Sequence, residues 1–205
     1  MADDIMLHHG DLPDGLNLKG DIAVDTETTG LSFMRDRLCL VQLQDEEGAC
    51  HLVKFDGESF DAPNLMDLLA DHTRVKLFHF ARFDVAMLKK WLGVDVSPVY
   101  CTKIASKLVR TYTDRHGLKD LLRELLSVDI SKQQQSSDWA SAELIPEQLD
   151  YAANDVRYLH QLREKLDVML AREGRQEVAQ QCFGFLATRA VMDLDGFEET
   201  DIFHH

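Results

Sequence analysis

Apolar and polar positions change period once along this chain. In the first half they fall into short runs. Asp21–Asp25 alternates and ends in a carboxylate, Leu38–Leu43 is apolar, and Ala49–Val53 is a third short run. A fourth, Val75–His79, follows a helical stretch around Leu65–Ala70. Polar segments such as Asp45-Glu46-Glu47-Gly48 join the first three, which predicts a hairpin meander. From Phe80 onward the period becomes helical. Phe83, Met87 and Trp91 recur every four residues up to Gly93, and Leu118, Leu121, Leu122, Leu125 and Leu126 form an amphipathic stripe. Pro146, suited to a first helical position, opens a long helix with Leu149, Ala153, Val156, Leu159, Leu166 and Leu170 as its core face. A last helix near 177–190 leads into an acidic tail containing Phe197, Ile202 and Phe203, whose apolar side chains predict docking on this chain or a neighbour. Strands followed by alternating helices predict an α/β fold, a mixed sheet flanked by helices, with residues 1–205 as one domain and a docking tail at about 192–205.

Composition narrows the partners. The net charge is −14, so long-range attraction to a polyanion is weak, and nucleic-acid chemistry here requires bound cations and a local basic patch. Lys103, Lys107, Arg110, Arg115, Lys119 and Arg123 supply one such stretch, which reads equally as a solvated helix face or as a phosphate contact. No apolar run approaches the roughly 18 residues of a membrane span. The acidic start, Met1-Ala2-Asp3-Asp4, does not resemble a secretory signal. Cys39, Cys50, Cys101 and Cys182 form no CxxC pair and read as reduced thiols, so the expected location is cytoplasmic.

The candidate chemistry lies in acids. In Val24-Asp25-Thr26-Glu27-Thr28-Thr29-Gly30, residues two apart on a strand share a face, so Asp25 and Glu27 project together. Side-by-side carboxylates repel unless a cation sits between them. Taken alone, the pair could equally be a solvated strand end. Asp84, in His79-Phe80-Ala81-Arg82-Phe83-Asp84, falls in the first turn of a helix after an apolar strand, where an acid also suits the helix dipole. Asp155 follows Tyr151 by four residues and shares its helix face. Four carboxylates without a histidine or cysteine partner make a hard-oxygen set suited to Mg²⁺ or Mn²⁺.

Asp-x-Glu on a strand, Phe-Asp opening a helix, and Tyr-x-x-x-Asp on a late helix resemble the motifs of the DEDD 3′-5′ exonucleases. Tyr151, four residues before Asp155, matches the DEDDy branch, which includes ribonuclease D. Over most of the chain, the segments Asp36–Leu43, Cys101–Leu108, Arg110–Lys119 and Ser131–Trp139 resemble the nanoRNase C family of alphaproteobacteria. The resemblance implies a ribonuclease H-like fold and two divalent ions (Mg²⁺ or Mn²⁺) held by Asp25, Glu27, Asp84 and Asp155. It further implies that Tyr151 orients the attacking water, that the substrates are short RNAs, dinucleotides above all, and that the assembly is a homo-octamer. A tyrosine has a free pKa near 10, so Tyr151 suits positioning better than unaided proton removal.

Leu31 stands where this superfamily places an apolar wedge against the terminal bases, and a core leucine after a turn is the other reading. Thr28, His79, Arg82, Lys103, Gln133, Ser136 and Ser137 are candidates for substrate contact. Trp91 and Trp139 read as core. The competing functions are a broader exonuclease acting on tRNA 3′ ends or DNA, and a binding module on an inactive nuclease scaffold. The second predicts missing acids, and none of the four is missing.

Overall fold

The computed structural model describes residues 4–131 and 133–204. Lys132 and His205 lie outside the described residues. Six strands form a mixed sheet: β1 (Ile5–His9), β2 (Ile22–Thr28), β3 (Leu38–Gln44), β4 (Cys50–Lys54), β5 (Lys76–Phe78) and β6 (Val99–Cys101). Their order is β1-β4-β3-β2-β5-β6. The meander β2-β3-β4 is antiparallel as its short polar links predict. β5 and β6 join parallel to it on one side, and β1 pairs parallel with β4 on the other.

The helices are α1 (Pro63–Ala70), α2 (Ala81–Leu92), α3 (Thr102–Val109), α4 (Leu118–Leu121), α5 (Pro146–Arg157), α6 (Leu159–Arg172) and α7 (Gln176–Leu194). Gly93 ends α2 at φ +70°, a left-handed conformation that glycine adopts without steric cost. The leucine stripe after Gly117 forms, but α4 passes into a π-helical turn over Leu122–Leu126. Pro146 opens α5 as expected. The single long helix does not form, because Tyr158 leaves helical geometry at φ −112° and ψ 2°, and α6 starts afresh. β2 runs three residues beyond the expected Asp25, so Asp25 and Glu27 sit within the strand rather than at its end.

β2 is the centre of the molecule. Ile22, Ala23 and Val24 are fully buried, as are Leu38, Leu40, Val41 and Leu43 of the neighbouring strand. α5 packs over β2, β3 and β4, while α2 packs over β2, β3, β5 and α7. The two helices that carry the remaining acids are thereby anchored to the strand that carries the first two.

The tail folds back on its own chain. Arg82 donates to both carboxylate oxygens of Asp193 at 2.7 and 2.8 Å and to the Glu198 carbonyl at 2.8 Å. Arg189 donates to the carbonyls of Phe197 and Glu198. The backbone is thus clamped, whereas Phe197, Ile202 and Phe203 remain exposed. The basic stretch does not form one face. Arg110 is buried against Glu124, Ser106 and the Arg115 carbonyl, Lys119 pairs with Asp129, and Arg123 pairs with Asp120. The cysteines are unpaired. Among the described residues, no helix is long and apolar enough to cross a membrane.

Candidate active site

The register of β2 against β3 sets Asp25 opposite Gln42 and Glu27 opposite Leu40. Carboxylate oxygens of Asp25, Glu27 and Asp155 lie within 4.8 Å of one another. Asp84 enters from the first turn of α2, buried, and accepts a 2.6 Å hydrogen bond from the Thr26 hydroxyl. Asp155 comes from α5, one turn after Tyr151, and the two side chains influence each other's titration. Trp139 is core, as read from sequence, and packs its ring 6.0 Å from that of Tyr151.

The acids crowd one another, and the titration behaviour shows the cost. Burial first, then the charges of Asp84, Asp155 and Glu27, hold the Asp25 carboxyl well above the usual range. Glu27 is raised to about 9, by burial and then by Asp155 and Asp84. Burial raises Asp84 and Asp155 to about 7 each. The Tyr151 phenol is also pushed up, by burial and then by Asp155, Glu27 and Asp25, so it stays protonated at neutral pH. Clustered oxygen donors whose charged forms are disfavoured until a cation arrives fit a hard divalent ion.

The acids line a cleft of about 310 Å³. Larger grooves lie beside Tyr100 (about 470 Å³), beside the tail (about 770 Å³) and beside Asp45 and His160 (about 710 Å³), but none of these carries the acid cluster. Of the sequence candidates, Thr28, Leu31, His79 and Lys103 line the acidic cleft. Leu31 is 80% exposed, which removes the core-leucine reading. Its loop is held by Asp36, which accepts from the Ser32 backbone at 2.8 Å and sits so close to Gly30 that a Cβ there would meet Oδ2 at 2.4 Å. His79 is fixed through Nδ1 by Thr102, whose hydroxyl also reaches the Phe78 carbonyl.

Arg82, Gln133, Ser136 and Ser137 are not among the cleft lining. Arg82 is engaged with the tail, and Ser137 bonds Gln134 and Gln148. Lys119, read in the sequence as part of a basic stretch, lines the cleft too, and Phe80, Ser131 and Gln135 line it without having been singled out. Phe80 is the clearest of these. It is a non-glycine residue at φ +70°, 45% exposed, with the Lys103 ammonium 3.9 Å from its ring centroid. Strained backbone of this kind clusters at functional sites, yet no composition signal marks it.

Residues 11–171 match the family described as 3′-5′ exonuclease, and the chain belongs to that family. Its likeness to one solved group extends over nearly every residue. The chain is 51% identical to Brucella melitensis NrnC bound to pGG, covering 98% of both chains with a TM-score of 0.94. It is 50% identical to the same nuclease with bound Mg²⁺, at 98% coverage of both and a TM-score of 0.93. A nuclease solved in its apo form is 56% identical, with 98% of this chain and 99% of that one covered and a TM-score of 0.96. Ribonuclease D of Sphingobium indicum is 34% identical over 166 residues, 78% of this chain; the chain spans only 41% of that relative's length.

The raised carboxyls give a pH dependence of defined sign. Between about pH 6.5 and 8, Glu27, at about 9 folded against 4.5 for the free side chain, and at the lower end of the window also Asp84 and Asp155, at about 7 against 3.8, bind more protons folded than unfolded. Stability of the metal-free protein therefore falls as pH rises through that window. Above it, buried Lys76, lowered by burial to about 8, contributes the opposite slope. Melting in EDTA should show this fall, and saturating Mg²⁺ should flatten it. A melting temperature in EDTA that rises steadily from pH 6.5 to 8 would contradict the account.

Proposed function

We propose that residues 1–205 act as one 3′-5′ exoribonuclease domain that hydrolyses very short RNAs, dinucleotides above all, to mononucleotides in the cytoplasm. The observation that carries this reading is the cluster of Asp25, Glu27, Asp84 and Asp155 at the floor of a small cleft. Its volume of about 310 Å³ is at the lower end of the ~300–1,000 Å³ common for small-ligand sites, which suits a substrate of few nucleotides. The −14 charge agrees, since a short substrate needs no long basic track. Similarity to a nuclease solved with pGG supports the same substrate class.

The four acids would hold two divalent ions, Mg²⁺ or Mn²⁺. Such ions, when bound, lower the pKa of water and neutralise charge on the attacking and leaving oxygens. The residues do the rest. Tyr151, one turn before Asp155, orients the attacking water, and burial holds its phenol protonated at neutral pH in the metal-free protein. Leu31, exposed at the rim, stacks against a terminal base. Lys103 flanks the cleft with positive charge for phosphate, with Lys119, paired with Asp129, beside it, and Thr28 and His79 offer polar contacts to the ribose or phosphate. Exclusion of bulk water by the buried floor strengthens each of these interactions.

Turnover of a 5′-phosphorylated dinucleotide against a 7-mer tests the length preference. The dinucleotide should be the faster substrate, and equal rates would favour the broader ribonuclease D-like activity. In the same assay Tyr151→Phe should lose on the order of a hundredfold to a thousandfold in kcat, about 3–4 kcal/mol of barrier, while still binding Mn²⁺. Unchanged turnover would remove the tyrosine from the mechanism.

The homo-octamer belongs to the same proposal. The nanoRNase C resemblance carries the number eight, and exposed Val178, Phe185, Ile202 and Phe203 supply apolar surface for contact between copies. Sedimentation should give a mass about eight times 23.4 kDa, and a species at 23.4 kDa would refute it.

A further inference from the structure

Gln42 lies on β3 directly opposite Asp25, and none of its surface reaches solvent. Its Nε2 donates to Oδ2 of Asp25 at 3.2 Å. Its Oε1 is buried without a hydrogen-bond partner among the described residues. A buried amide that leaves its carbonyl unpaired costs stability, and an apolar side chain of similar volume would remove that cost while taking one donor from Asp25. Turning the amide over would face the carbonyl onto the Asp25 carboxylate, so the surroundings fix the orientation seen. The group is kept at a loss to folding, and its one bond goes to an acid of the cluster.

Resting on the metal-site reading above, we infer that Gln42 is a positioning residue for the divalent ions. Its amide holds one oxygen of Asp25 and leaves the other aimed for ligation. The chemistry of the donor explains its type. The charged groups that act most strongly on Asp25 are other acids. A lysine or arginine at this place would steady Asp25 but would compete with the incoming ion for its charge. A neutral amide orients the carboxylate without neutralising it. Thr26 acts likewise on Asp84 through its 2.6 Å hydroxyl bond, so two acids are steadied by uncharged donors from β2 and β3.

Partners that orient a metal's ligands, when removed, typically weaken metal affinity by about 10–100-fold. The experiment measures Mn²⁺ binding by electron paramagnetic resonance on the full chain, wild type against Gln42→Leu and Gln42→Met, with melting in EDTA alongside. The expected result is a Mn²⁺ dissociation constant raised at least about tenfold. The melting temperature should be unchanged or higher, and kcat should recover when Mn²⁺ is saturating. Mn²⁺ affinity within about twofold of wild type in a folded variant would overturn the role, since only losses of tenfold or more mark such a partner. So would a lowered melting temperature with affinity unchanged, which a purely structural role predicts. If Gln42→Leu does not fold, the unbranched Gln42→Met gives the same reading. Glu27→Gln separates the two levels of the argument: wild-type Mn²⁺ binding in that variant would sink the metal site itself, whatever Gln42 does.

Discussion

Mutual repulsion among carboxylates crowded onto β2 is the constraint around which this molecule is arranged. Asp25, Glu27 and Asp155 bring oxygens within 4.8 Å of one another, with Asp84 buried beside them. Such a cluster persists only if the surrounding fold is rigid enough to impose it. The fully buried residues of β2 and β3 provide that rigidity, and α2 and α5 are packed onto the same strands. The energy held in the repulsion is what a divalent ion releases on binding. Folding and metal affinity are therefore set by the same contacts, and neutral donors from Thr26 and Gln42 orient the acids without discharging them.

The shape of the site follows from its position in the sheet. A floor of acids, a tyrosine one helical turn from Asp155, an exposed leucine at the rim and lysines at the sides together enclose a small cleft rather than a long track. The tail is clamped by Arg82 and Arg189, and the groove beside it shares Phe80 and Lys103 with the catalytic cleft. Basic residues elsewhere are spent within the fold, Arg110 above all. An acidic protein with so small a positive surface is matched to small anions more than to polymers.

Much of this was legible in the chain, and the reasons are local. Alternation placed Asp25 and Glu27 on one face, helical spacing joined Tyr151 to Asp155, and Pro146 and Gly93 marked helix ends that the structure keeps. What was hidden depends on contacts between distant residues. β1 exists through pairing with β4 and carries no strong strand pattern of its own. Tyr158 breaks a periodic helix with neither proline nor glycine to announce it. Arg82 looked like a substrate contact from its place beside the second motif, but Asp193, 111 residues away, claims it. Gln42 read as one polar position in an apolar run, and only the β2–β3 register shows which acid it faces.

The central claim is that the acids act together as a metal site and that cleavage depends on it. Asp25→Asn tests it most directly, since it removes one charge at nearly constant shape. Bound Mn²⁺ per chain and dinucleotide hydrolysis should be measured on the same folded preparation. The account predicts unchanged or improved thermal stability in EDTA, loss of Mn²⁺ binding, and a fall in turnover of at least about a thousandfold, or roughly 4 kcal/mol. Mn²⁺-dependent cleavage surviving near the wild-type rate would contradict it.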